Sequence, residues 1–283
     1  MMINRDLIRD MKSLDIEISN LCNINCNFCP RDSISRPKGL MDEETFDILL
    51  DWIPQNFGVT FSGMGEPLIN SNINSFIQRL WEKNIKVFLK TNGLMLSPSV
   101  YNKLIDSGIW HIQISIISGS EDFVEHGISK SGFQELEYNL KYISKKNNSP
   151  VSFSLVESQN SISNLNRAEF AKMFDIPLFI SKLHSRGGEL YQLKDLNQSG
   201  NKDSFCEIFP HISFISWQGD ILSCCHDITG KTALGNIADT LITELEKIKK
   251  DRIESSKWFS ICGHCDDEMR YNFGKNIRSV HKV

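Results

Sequence analysis

Between residues 14 and 183, short β-rich runs alternate with helical patterns, and this alternation sets the fold class before any single motif does. The runs cover 14–19, 59–62, 86–90, 111–117, 151–156 and 178–183. Between them, apolar residues recur at helical spacing over 42–53, 73–83, 98–107, 133–146 and 164–173. In the first of these, Phe46, Leu49, Leu50 and Ile53 share one face. Asp42 followed by Thr45, and Ser97 ahead of Pro98, mark helix starts. Strand–helix alternation of this kind builds a parallel sheet covered by helices. Six β/α units cannot close an eight-fold barrel, so the expected α/β architecture is a partial, TIM-like (β/α)6 barrel over 1–195. Its active face is expected at the carboxyl ends of the strands.

Composition shifts after residue 183. His184-Ser-Arg-Gly-Gly188 reads as a loop, and 190–203 as a polar linker or excursion. From Phe205 the chain reads as a small cysteine-rich unit. Runs at 214–217 and 221–224 flank Gln218-Gly219-Asp220, a predicted β-hairpin, and a helix is expected over 240–253. A second domain over 196–283 follows, ending in a basic tail (274–283) expected to fray. No internal repeat or low-complexity segment is present.

Hydrophobic residues make up 40% of the 283, enough for an ordinary core. With 31 Lys+Arg against 35 Asp+Glu and no basic block, a nucleic-acid partner is disfavoured. Residues 1–12 are charged and lack the apolar core of a signal peptide. No apolar run reaches the roughly 18 residues of a membrane helix. The expected location is the cytoplasm, where eight cysteines point to metal rather than to disulfides.

Three of them form Cys22-Asn-Ile-Asn-Cys26-Asn-Phe-Cys29, directly after the alternating run Leu14, Ile16, Ile18. Three thiolates on one loop can hold three corners of an iron–sulfur cluster and leave one metal open. Phe28 would shield it from solvent. A zinc loop or an accidental spacing is the alternative. Cys-x3-Cys-x2-Cys after a first strand resembles the radical S-adenosylmethionine (SAM) superfamily, in which the open iron chelates the SAM amino and carboxylate groups. Ser62-Gly-Met-Gly-Glu-Pro67, on residues alone no more than a tight strand-to-helix turn, resembles that family's Gly-Gly-Glu-Pro motif for the SAM ammonium. The resemblance implies roles for Gly63, Met64, Gly65 and Glu66, with Met64 standing where the motif has glycine. It also implies that Asn92 and Ser115, polar residues at or near the ends of the third and fourth runs, contact the SAM ribose or carboxylate. Val156 would contact the adenine.

Cys206, Cys224, Cys262 and Cys265 suit a closed tetrathiolate site, zinc or [4Fe–4S] on spacing alone. Cys206-x12-Gly219-x4-Cys224 with one closing Cys-x2-Cys resembles the SPASM auxiliary-cluster domain in its shortened Twitch form. Leu234-Gly235-Asn236-Ile237 fits it too. The resemblance spans 14–265, with no leader-peptide recognition domain expected ahead of it, and implies two [4Fe–4S] clusters plus SAM. Cys225 is then a spare thiol, either a buried apolar group or a hydrogen-atom donor. Asp227 and His226 are open between proton acceptor and turn cap, Arg186 between substrate grip and solvated loop residue.

A four-cysteine auxiliary cluster leaves no iron free for substrate, so electron transfer is its expected task. The implied reaction abstracts hydrogen from a C–H bond of a small polar, sugar- or aminocyclitol-like substrate, a two-electron dehydrogenation resembling that of radical SAM aminocyclitol dehydrogenases. The partners are that substrate (or a peptide) and a flavodoxin- or ferredoxin-type electron donor. A redox-neutral epimerase using Cys225, a ribosomal-peptide maturase, and a zinc-stabilised binding module without catalysis are the alternatives.

Overall fold

A computed structural model describes residues 12–26, 29–116, 127–157, 161–188, 190, 206–267 and 270. Six strands, β1 (Ser13–Ile16), β2 (Gly58–Phe61), β3 (Val87–Thr91), β4 (His111–Ser115), β5 (Val151–Glu157) and β6 (Leu178–Lys182), pair in parallel and in chain order. Five helices connect them: α1 (Glu43–Trp52), α2 (Ile73–Glu82), α3 (Pro98–Asp106), α4 (Lys130–Ser144) and α5 (Ser161–Lys172). This is the open α/β barrel expected of the pattern. The elements start where side chains cap them: Asp42 accepts from the Thr45 N–H at 2.8 Å and Ser97 from the Val100 N–H at 3.3 Å. Ser129 does the same for α4, accepting from the Gly132 N–H at 3.1 Å, so that helix begins at 130 rather than 133.

The strands have two unlike faces. Leu14, Ile16, Val59, Phe61, Val87, Leu89, Ile112 and Ile114 are buried in the main core, with the Phe46–Phe76 stack of α1 and α2 (3.8 Å between centroids) in the same cluster. Alternate residues (Asp15, Thr60, Lys90, His111, Ser115, Ser154) occupy the opposite face. They meet across strands, with His111 Nε2 at 2.8 Å from Ser152 Oγ and Ser115 Oγ at 3.5 Å from Ser154 Oγ. The barrel therefore has an apolar outside under helices and a polar lumen.

The C-terminal unit is a three-stranded meander, β7 (Ile212–Ile215), β8 (Asp220–Leu222) and β9 (Ala233–Asn236), followed by α6 (Ile242–Glu254). The expected hairpin is present, shifted slightly; β9, which the sequence did not suggest as a strand, completes it. β7 also pairs in parallel with β1, Ser13 opposite Ile212 and Ile16 opposite Ile215. One nine-stranded sheet thus runs from β6 to β9 with β1 inside it. The domain boundary at 195/196, most of the 190–203 linker, the tail and the absence of a leader domain fall outside the described residues. Among described residues no helix is long and apolar enough to cross a membrane.

Candidate functional site

The cysteine loop leaves β1 and folds back under Arg31, whose Nη1 donates to the Cys22 carbonyl at 3.1 Å and Nη2 to Asn25 Oδ1 at 3.2 Å. The Cys29 N–H donates to the Cys26 carbonyl at 3.0 Å. Burial, then the neighbouring Cys29 and Cys22, push the Cys26 thiol up to about 12. Cys22 is raised by burial and by Glu66, with Arg31 opposing. Three thiolates so placed repel one another and become stable around a cationic metal centre.

The Gly63–Glu66 turn is packed on that loop. A Cβ at Gly65 would lie 2.4 Å from the Leu21 carbonyl oxygen and 2.5 Å from that of Ser19, so only glycine lets the two backbones meet. The Glu66 N–H donates to the Leu21 carbonyl at 2.7 Å. The Glu66 carboxylate, 1% exposed, turns inward: it accepts from Thr91 Oγ1 (2.7 Å), the Leu68 N–H (3.1 Å) and the Asn92 N–H (2.8 Å). Burial raises its pKa, and these donors oppose the rise. Asn92 in turn donates to Asn23 Oδ1 at 2.8 Å, with Nδ2 3.9 Å from the Cys22 sulfur. Glu66 and Asn92 thus brace the cysteine loop, and the turn's backbone is left to meet a ligand. Ser115 is in the lumen, and Val156, 37% exposed, is the penultimate residue of the neighbouring strand. Phe28 lies outside the described residues.

Glu17 is a functional residue the sequence reading missed. Fully buried, it forms a two-pronged pair with Arg36 (2.7 and 3.1 Å) and accepts from the Met64 N–H at 3.0 Å. It ties β1, the segment after the cysteines and the β2 turn together. A charged residue alternating with Leu14, Ile16 and Ile18 was the signal.

Cys206, Cys224, Cys262 and Cys265 line one cavity with Ile208 and Ile261. Burial raises all four thiols, Cys265 to about 11. Four thiols on one cavity suit a closed metal centre, zinc or [4Fe–4S].

Cys225 lines the same cavity. Its thiol is pushed up to about 12 by burial and by the Asp15 carboxylate, with Arg186 and Lys90 opposing. Arg186 sits in a turn after β6 at φ +49° and acts electrostatically on Cys225. Of the two roles open to Asp227, proton acceptor and turn cap, its hydrogen bonds are those of a turn cap. Its oxygens accept from the N–H and hydroxyl of Thr229, the Gly230 N–H, and the N–H and hydroxyl of Thr232, all within 3.0 Å. Burial opposes these donors, yet its pKa falls below the ordinary value. Among described residues, Asp15 is a carboxylate on the lumen face, opposite Thr60 of β2; burial raises its pKa, with Lys90 opposing.

His184, His226 and Asp267 bring three donor atoms within 4.8 Å. His226 Nε2 is 2.9 Å from Asp267 Oδ2. The Arg186 N–H donates to His184 Nδ1 at 3.2 Å, which leaves the proton on Nε2, and His226 Nδ1 has no partner. Among described residues the trio is joined by the His226–Asp267 hydrogen bond.

Residues 16–156 match the radical SAM superfamily and 206–266 the SPASM iron–sulfur cluster-binding domain, together over two thirds of the chain. The tungsten-containing aldehyde ferredoxin oxidoreductase cofactor-modifying protein of Pyrococcus furiosus is 26% identical over 102 residues, 35% of this chain and 29% of that protein. The chain thus matches under a third of that relative's length. The S-adenosyl-L-methionine-dependent 2-deoxy-scyllo-inosamine dehydrogenase of Niallia circulans is 21% identical over 239 residues, 82% of this chain and 80% of its own. Among solved structures, BtrN in complex with AdoMet and 2-DOIA superposes with a TM-score of 0.59 at 18% identity, covering 91% of this chain and 94% of that one. Streptococcus suis SuiB bound to precursor peptide SuiA gives 0.62 at 14%, covering 93% and 72%. At these identities the superpositions speak for the fold. The chain belongs to the radical SAM superfamily and carries a C-terminal iron–sulfur cluster-binding domain of the SPASM type.

Proposed function

We propose that this chain is a radical SAM dehydrogenase acting on a small polar substrate of the aminocyclitol or sugar type. In this reading Cys22, Cys26 and Cys29 hold the SAM-binding [4Fe–4S] cluster, and Cys206, Cys224, Cys262 and Cys265 hold an auxiliary one. Bound there, the cofactors supply a 5′-deoxyadenosyl radical at one site and a one-electron acceptor at the other. The backbone of Gly63–Glu66 offers acceptors to the SAM ammonium; Ser115 and Val156 flank its nucleoside.

The observation that carries the reading is the polar lumen beside the C-terminal cysteine cavity. Asp15, Lys90 and Arg186 present both charge signs to a substrate rich in hydroxyl and amino groups. Oxidation removes two electrons and two hydrogens. One hydrogen leaves as an atom from C–H; the second leaves as a proton from the neighbouring O–H or N–H, and Asp15 accepts it. The relative named for 2-deoxy-scyllo-inosamine supports this substrate class.

An epimerase is the second reading, favoured by one observation. Cys225 remains an S–H among Asp15, Lys90 and Arg186, as a hydrogen-atom donor must. Turnover of 2-deoxy-scyllo-inosamine and related aminocyclitols in deuterated water separates the two. The dehydrogenase reading expects a ketone about two mass units lighter, unaffected by Cys225→Ala. An isomer carrying solvent deuterium, lost in Cys225→Ala, would overturn it.

A further inference from the structure

His226 carries a buried nitrogen without a partner. The residue is 6% exposed and lines the cavity of Cys206, Cys224, Cys262 and Cys265. Its Nε2 lies 2.9 Å from Asp267 Oδ2, so beside an ionised carboxylate the ring proton sits on Nε2. Nδ1 is then a bare lone pair, and among described residues no N–H, O–H or S–H donates to it. The groups around it are engaged elsewhere. His184, its ring centroid 4.4 Å away, accepts from the Arg186 N–H through Nδ1 at 3.2 Å. Asp227 holds its own turn through Thr229 and Thr232.

A buried nitrogen lone pair is costly to leave unmatched, and in folded proteins such groups meet a donor or a metal ion. Thiolate and sulfide sulfurs are acceptors, so a metal-loaded cysteine cavity offers this nitrogen no donor. The iron itself is an electron-pair acceptor, and imidazole replaces thiolate on iron in Rieske-type clusters. The far side of the ring is set as in ligating histidines, whose second N–H goes to a carboxylate. Cys224 and His226 stand two residues apart in one turn, and both line the cavity. The Asp227 N–H closes that turn on the Cys224 carbonyl at 3.3 Å. Asp267 follows Cys265 by two residues, so its hydrogen bond fixes the ring from the opposite ligand pair.

We propose that His226 is a fifth metal-ligating residue of the C-terminal centre, its Nδ1 able to hold the iron otherwise held by Cys224. The inference rests on the iron–sulfur reading of the four cysteines and adds a ligand that the cysteine spacing does not reveal. A neutral imidazole in place of a thiolate leaves the cluster less negative, which favours its reduction. Asp267 and Asp227 are positioning residues here: the first holds the ring and its tautomer, the second the turn.

The test uses the full chain with Cys22, Cys26 and Cys29 replaced by alanine, reconstituted anaerobically so that one cluster remains. Iron and zinc content and pulsed EPR of the reduced cluster are measured with isotope-labelled histidine incorporated. The variants are Cys224→Ala, Cys224→Ser, and Cys224→Ala combined with His226→Ala. The expected result is about four irons in the parent and in Cys224→Ala. Cys224→Ala should show strong coupling to a histidine nitrogen, and the combined variant should lose both the coupling and the cluster. Iron retained in Cys224→Ala without histidine coupling would overturn the proposal, as would a coupling that survives His226→Ala. So would loss of the cluster from both Cys224→Ala and Cys224→Ser, because a fifth donor must keep the iron that Cys224 gives up. Zinc in place of iron in the parent would instead overturn the reading of the cysteines on which the proposal stands.

Discussion

At Gly65 the backbone φ is ordinary, and the constraint is the space between two loops. The missing Cβ lets the β2 turn lie against the Ser19 and Leu21 carbonyls. Gly65→Ala must push the turn off the cysteine loop by a fraction of an ångström or more. We expect SAM cleavage to fall roughly 10²-fold, with the iron of the C-terminal site retained; metal counts and 5′-deoxyadenosine formation check both. His184 carries a second prediction. Burial first, then His226, lowers its pKa to about 4. As pH falls below the ordinary 6.5, the unfolded chain takes up this proton before the folded one. Its contribution is therefore complete above pH 6.5 and is lost down to about 4, at no more than about 1.4 kcal/mol per pH unit. Urea midpoints measured across that window should slope, and His184→Gln should remove that part of the slope.

Among the elements, those with their own caps and periodicity are legible in the amino-acid sequence alone. Asp42 and Ser97 announce α1 and α3, and Phe46 with Leu49 marks the face that packs. Phe46→Ala, which deletes half of the stack with Phe76, should cost about 3–5 kcal/mol by denaturant unfolding while leaving the cluster ligands in place. What escaped the sequence was non-local. β7 pairs with β1 across some two hundred residues, and no local signal in Ile212–Ile215 names that partner. Ala233–Asn236 is short, contains glycine and lacks alternation, so its strand exists only because β8 offers an edge. Asp227 illustrates a signal that left two readings open. An aspartate followed by Thr229, Gly230 and Thr232 is the pattern of a side chain that caps its own turn. The five donors on it leave no part for it in proton transfer.

Across the whole molecule, the cysteine spacing is legible in the sequence, whereas the groups that brace the segments around it are not. Glu17–Arg36, Glu66–Thr91–Asn92, Lys249 and Arg270 act through contacts that only the folded chain creates. Because β7 joins β1, the C-terminal unit is built on the edge of the barrel, and Cys225 comes within reach of Asp15 in the lumen. In the proposed reading, a substrate in that lumen meets radical chemistry and an electron acceptor. The measurement that bears most directly on this account is iron, sulfide and zinc content after anaerobic reconstitution, with SAM cleavage followed under a strong reductant. The account predicts about eight irons per chain, no stoichiometric zinc, and 5′-deoxyadenosine formed. About four irons with one zinc, or no iron at all, would contradict it.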